Sequence, residues 1–192
     1  MIIELLEFGY NYNRQAIIGG NMPNLRRLFK IPVLLIDKGV KIGIVEDCVI
    51  DTNKDIIKAF LLNKPIDNSK SNLFGILFEN VFSIGDDAIM IRHEKFLQDL
   101  SPFFRHDHYY FGSNLFEKNI YTETGFGLGT LSDIVFNEQT GEMISYEVSD
   151  GLISDILYGR IYFAVPKAQV IGENMLIVPE RTNEPGNTYH KY

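Results

Sequence analysis

Residues 43–62 read GIVEDCVIDTNKDIIKAFLL and residues 129–148 read GTLSDIVFNEQTGEMISYEV. Set against each other at an offset of 86, without a gap, they place Gly43 on Gly129, Asp47 on Asp133, Val49 on Val135, Phe60 on Tyr146 and Leu62 on Val148. Each stretch opens on a glycine and enters an alternating strand. In the first, Val45, Asp47 and Val49 are expected on one face, Ile44 and Cys48 on the other. A polar turn follows, DTNKD or NEQTG. Gly141 stands where a hairpin bulge requires positive φ, which glycine adopts without steric cost. Asp55 holds the matching place, and Asp tolerates that region better than most residues. A second strand, IIKAFLL or MISYEV, closes the hairpin.

Outward from this hairpin the agreement continues. SIGDDAIMI at 83–91 matches VIGENMLIV at 170–178 at an offset of 87. Between hairpin and final segment lie FGILF in one half and RIYFAV in the other. Each half then holds about five short strands separated by turns, the grammar of a small barrel or sandwich. The expectation is an all-β chain of two tandem small barrels, at 22–95 and 113–180. An N-terminal stretch, 1–21, would be an arm or an added strand, and 181–192 a frayed tail. Helical content is expected to be low, with 24–29, the stretch around 93–100 and 152–157 as the candidates.

The second half, GTLSDIVFNEQTGEMISYEVSDG followed by LYGRIYFAVPKAQVIGENMLIVPE, resembles the PRC-barrel domain. The first half, KIGIVEDCVIDTNKDIIKAFLLNKP to LFENVFSIGDDAIMI, resembles it more loosely and lacks the turn glycine and the SDG element. The resemblance implies a small β-barrel of the kind found in the cytoplasmic part of the photosynthetic reaction-centre H subunit and in the C-terminal part of a ribosome maturation factor. Stand-alone tandem forms occur in bacteria and archaea. The family shares no catalytic residues, and the theme common to its known settings is docking of protein. The resemblance therefore implies a non-enzymatic adaptor or scaffold, with an RNA-processing or ribosome-assembly role as the alternative.

Charge limits the partners. Residues 22–95 hold 11 Lys/Arg and 10 Asp/Glu, net +1, whereas 113–180 hold 3 and 10, net −7. Phosphate backbones are gripped by clustered cations, and only Arg26, Arg27 and Lys30 cluster, so direct nucleic-acid binding is not expected. A protein partner is, with a second copy of the chain among the candidates. Glu4 and Glu7 interrupt the apolar start, so no secretory signal is read. No stretch approaches the roughly 18 apolar residues of a membrane span. The expected location is the cytoplasm, which suits a single cysteine.

Several constellations bear on chemistry. His106 and His108, with His93 and Asp107 nearby in sequence, form an incomplete ligand set beside those of structural zinc; no metal is expected. Asp47 and Asp133 read as carboxylates that accept local backbone N–H groups. Asp150 and Gly151 read as a turn, and Asp155 with Arg160 as an ion pair. Cys48 reads as a small buried hydrophobe. The GFGLG run at 125–129 is followed by a strand where a phosphate loop needs a helix, so no cofactor is expected. The feature that points to interaction is 96–112, FLQDLSPFFRHDHYYFG, between the two halves. A solvated linker does not carry this many rings. Phe103, Phe104, Tyr109, Tyr110 and Phe111 are the candidate partner or inter-domain interface.

Overall fold

The computed structural model describes residues 23–63, 73–149, 161–166 and 169–179. The stretches 1–21, 150–160 and 181–192, with the expected helix at 152–157, the turn at Asp150–Gly151 and the Asp155–Arg160 pair, lie outside the described residues. Among those described, the chain is all-β with short 3-10 turns. No described helix is long and apolar enough to cross a membrane.

The first sheet is built from β1 (Pro32–Leu35), β2 (Val40–Asp51), β3 (Ile56–Asn63), β4 (Phe74–Leu77), β5 (Ser83–Ile84), β6 (Ile89–Ile91), β7 (Leu97–Asp99) and β8 (Tyr109–Phe111). Its order is β5-β6-β1-β2-β3-β4-β7, with β8 on the far half of β2. The second sheet comprises β9 (Asn119–Thr122), β10 (Gly127–Phe136), β11 (Met143–Ser149), β12 (Ile161–Ala164), β13 (Val170–Ile171) and β14 (Met175–Val178), in the order β12-β11-β10-β9-β14-β13.

The two orders are the same once β7 and β8 are set aside, and so is the register. In the first sheet β1 runs parallel to β6 with Val33 opposite Ile89; in the second β9 runs parallel to β14 with Ile120 opposite Leu176, each residue 87 further on. Pro32 opposite Ile44 and Val33 opposite Gly43 become Asn119 opposite Thr130 and Ile120 opposite Gly129, with an irregularity following in both ladders. Phe60 opposite Ile76 becomes Tyr146 opposite Phe163. The final hairpins agree too: Ile84 opposite Ile89, Ile171 opposite Leu176. Even the rare left-handed backbone recurs, at Lys30 (φ 75°) and Glu117 (φ 64°), and at Asp55 (φ 53°) and Gly141 (φ 76°). The turn stereochemistry read from the sequence at the last two is therefore present.

One expectation is corrected, and others are placed more closely. Strict alternation along β2 fails because the ladder slips between Val45 and Asp47. Glu46 is the extra residue of a bulge, and a bulge exchanges the faces beyond it. Val45 and Cys48 are consequently both fully buried, opposite Leu62 and Phe60. The helix expected at 93–100 is a single 3-10 turn, Glu94–Phe96, running into β7. At 24–29 there is likewise only a 3-10 turn, Leu25–Leu28, which seats Leu25 and Leu28 in the core. The segment 96–112 is part of the first sheet: β7 extends it beside β4, and β8 pairs with Val49–Asp51. Its apolar side chains find an uncovered sheet face there.

The compact units also differ from the ranges 22–95 and 113–180. Of the described residues, one unit consists of those up to Leu115 with the hairpin tip Phe136–Met143; the other takes Phe116–Val135 and those from Ile144 on. Within the first unit the borrowed tip is held by a reciprocal pair of bonds. The Ile57 N–H donates to Gly141 O and the Met143 N–H donates to Asp55 O, both at 2.8 Å. Residues 57 and 143, and 55 and 141, are equivalent positions of the two hairpins.

Gly129 has φ 123°, and a Cβ there would stand 2.5 Å from Ser149 O and 2.8 Å from Val148 Cγ1. Gly125 also has positive φ (87°) but faces open space. Gly129→Ala is expected to cost about 2–3 kcal/mol from strain plus backbone collision, against about 1 kcal/mol for Gly125→Ala. Urea unfolding midpoints check the difference.

Candidate functional site

The aromatic segment lies across one face of the β2–β3 hairpin as a strap. Its path is set by successive tight turns: the Phe103 N–H donates to Leu100 O, the His106 N–H to Phe103 O, and the Tyr109 N–H to His106 O, at 3.1–3.3 Å. β8 then docks on β2. Thr52 ties down the junction, its N–H and hydroxyl both donating to His108 O at 3.0 Å. Beyond β8, Asp47 clamps the chain. Its Oδ1 accepts the Ser113 N–H at 3.0 Å and the Cys48 N–H at 2.7 Å, and its Oδ2 accepts the Ser113 hydroxyl. In the second sheet, Asp133 Oδ1 accepts the Ile134 N–H at 2.8 Å. Both aspartates thus bind local backbone, as read from the sequence.

Beneath the strap lies a small core of Val49, Ala59, Leu61 and Leu100, against which Phe103, Phe104, Tyr109 and Phe111 pack, all partly buried. The rings organise one another. Phe104 stacks on Phe111 with centroids 4.1 Å apart at 22°, and Phe103 meets Tyr109 edge-on at 5.0 Å and 74°. Such pairs contribute about 0.5–1.5 kcal/mol beyond burial. Four of the five candidate residues therefore serve intramolecular packing and keep an exposed side. Tyr110 is half-buried and stands outside this cluster, its backbone paired with Ile50.

Asp51 is the polar anchor. Although 2% exposed, it accepts the N–H groups of Asn53 and Lys54 at 3.1 and 3.2 Å and a hydrogen bond from Tyr109. Burial first, and then the neighbouring Asp51 charge, push the Tyr109 phenol above its ordinary range. Asn137 repeats the capping role at the other tip, accepting from Gln139 and Thr140. Asp55 carries a penalty that Gly141 does not. Burial and the Asp51 charge push its carboxyl from 3.8 to about 6.

At the strap's exposed end a shallow polar recess of about 560 Å³ is lined by Thr52, Asn53, Arg105, His106, Asp107 and His108. The His106 and His108 rings lie 5.6 Å apart, and His108 leans on Tyr109 at 4.2 Å. His93 does not join them; its Nδ1 faces Asp37 at 2.5 Å. Among the described residues no group of three or more His, Cys, Asp or Glu side chains converges for a metal. Cys48 is fully buried, and burial, followed by the Asp47 charge, pushes its thiol well above the ordinary range. Of the basic cluster, Arg27 is already engaged, with Asp86 at 2.5 Å and Glu138 at 3.8 Å.

The Asp47–Ser113 clamp and the burial of Asp51 were not visible beforehand. Ser113 lies 66 residues from Asp47, and no local pattern links the two. Residues 107–183 match the PRC-barrel domain, so that stretch is a PRC-barrel domain. No curated protein matches the chain.

Two outcomes follow from this geometry. Tyr109→Phe removes a donor from a buried carboxylate and is expected to cost about 1–3 kcal/mol, measured by chemical unfolding. Because the Asp55 carboxyl is raised in the folded state, folding takes up protons between pH 3.8 and about 6. Its contribution is full below that window and is lost as pH rises through it. Asp55→Asn, which keeps tolerance of positive φ, is expected to flatten this part of the stability–pH curve and to stabilise the protein above pH 6.

Proposed function

We propose that this protein is a non-enzymatic, cytoplasmic protein-binding adaptor built on two tandem copies of the PRC-type module. Support for the duplication is the shared strand order and shared register, which hold residue by residue at offsets of 86 and 87. Support for an interaction role comes from the PRC-barrel match and from the strap. The observation that carries the reading is the clamped aromatic strap. Ordered rings with an exposed side, beside a recess of Arg, Asp and His side chains, offer a partner contact area at little entropic cost. Aromatic side chains and Arg are the residues enriched at interface cores.

An RNA-associated role draws less support. The Arg27 guanidinium is spent on carboxylates, and residues 113–180 carry net −7.

The test is affinity purification of the full chain from its native cell, with His106→Ser/Tyr110→Ser as the comparison. These positions lie outside the small core under the strap, so the unfolding midpoint should stay within about 1 kcal/mol of the parent. A partner retained by the parent and lost by the variant is the expected result. The same partners on both proteins would remove the strap from the interface.

A further inference from the structure

The ladders of the second sheet set Gly127 opposite Tyr121, Tyr121 opposite Ile177, and Ile177 opposite Val170. Cross-strand partners share a face, so these residues form one row across β10, β9, β14 and β13. The alternate residues Ile120, Leu176 and Val178 are fully buried, which places the row on the outer face. It is apolar from end to end, and it is open. Val170 is 65% exposed, Tyr121 37%, and Met175, two residues before Ile177, 45%. These side chains add nothing to the core, and contiguous exposed apolar side chains mark a contact surface.

Charge narrows the occupant. Beside the row Glu123 and Glu173 are exposed, and neither carboxylate is in an ion pair. Among the described residues of this unit the only Lys or Arg is Lys118, which is buried, its Nζ donating to Gly172 O at 2.9 Å and to Glu173 O. Two such faces repel each other. The counterpart row of the first sheet has the same geometry and the opposite charge. It sets Lys41 opposite Leu34, Leu34 opposite Met90, and Met90 opposite Ser83, the positions 86 or 87 before Gly127, Tyr121, Ile177 and Val170. Leu34 and Met90 are half-buried and Ile36 is exposed. Lys41 is exposed, and Arg92, two residues beyond Met90, rests its guanidinium 4.0 Å over the Phe82 ring. Neither cation is paired with a carboxylate. The nearby Glu94 and Asp37 are taken up by Lys38 and His93.

Independently of the strap, we infer that the chain binds a second copy of itself through these two faces. The outer row of the second sheet in one copy seats on the counterpart row of the first sheet in another. Tyr121, Ile177 and Val170 meet Leu34, Met90 and Ile36, and Glu123 and Glu173 face Lys41 and Arg92. Apolar burial drives the contact, and opposite charge selects which faces meet. Four strands span about 14 Å, so one such contact is of the small, weak class, with association at about 0.1–1 mM chain.

The test is sedimentation velocity of the full chain from about 10 μM to about 1 mM. The average mass is expected to rise with concentration, and to rise less in high salt. Val170→Ser/Met175→Ser changes exposed side chains only; it is expected to leave the urea midpoint in place and to weaken association about fivefold or more. Lys41→Glu/Arg92→Glu and Glu123→Lys/Glu173→Lys are each expected to stay monomeric. An equimolar mixture of the two is expected to associate again, because opposite charges then face one another between unlike copies. A parent that stays monomeric at about 1 mM, association indifferent to Val170→Ser/Met175→Ser, or a mixture that stays monomeric overturns the contact. A change of shape at constant mass also overturns it. His106→Ser/Tyr110→Ser is expected to associate as the parent does, and loss of association in that variant would move the contact to the strap and overturn this one. Failure of the self-contact leaves the adaptor reading standing, since the strap takes no part in it.

Discussion

The constraint on which the first unit depends is a hairpin that is apolar on both faces. From Ala59 to Leu62 every side chain of β3 is buried. One set, with Phe60 and Leu62, points into the sheet's main core beside Val45 and Cys48; the other, Ala59 and Leu61, points away with Val49. Left in water, the second set would forfeit about 1.5–3 kcal/mol for each large side chain. The strap covers it. Its backbone groups are met by Thr52 and its Tyr109 hydroxyl by Asp51, so covering the apolar face leaves these polar groups satisfied.

The second sheet meets the same backbone with different chemistry. At the positions equivalent to Ala59 and Leu61 it carries Ser145 and Glu147. Glu147 is 2% exposed and accepts the Tyr162 hydroxyl at 2.8 Å and the Ser132 hydroxyl at 3.2 Å. Tyr146 donates to Gln169 at 2.9 Å. Glu147 is thereby satisfied, whereas the buried Ser145 hydroxyl has no hydrogen-bond partner among the described residues. The inner face, by contrast, stays aromatic and aliphatic in both, with Tyr146 and Phe163 edge-on where Phe60 meets Ile76. Two equal ladders thus present unlike outer faces.

The hairpin tips show the same economy. Both need a residue at positive φ, and both need a side-chain acceptor for the turn's N–H groups. Gly141 and Asn137 meet these needs without charge. Asp55 and Asp51 meet them with two carboxylates close together, which makes the first tip sensitive to pH between 3.8 and about 6.

Much of this was written locally. The hairpins, their turn positions at Asp55 and Gly141 and the final short hairpins follow from residue type and period-two alternation, because each depends on neighbours a few positions away; the burial of Cys48 follows from residue type alone. The aromatic content of 96–112 marked it as a packed segment for the same reason. The rest depended on partners distant in the chain. The parallel pairing of β1 with β6, and of β9 with β14, leaves no periodicity that differs from antiparallel strands, so neither was anticipated. The bulge at Glu46 exchanged the faces of β2 because register is a property of two strands together. The strap found its place because an uncovered apolar face was there to receive it, and that face exists only once the hairpin has formed. Sequence determined which segments pair locally and where they turn; tertiary structure decided which faces are covered, since covering is settled by long-range contact.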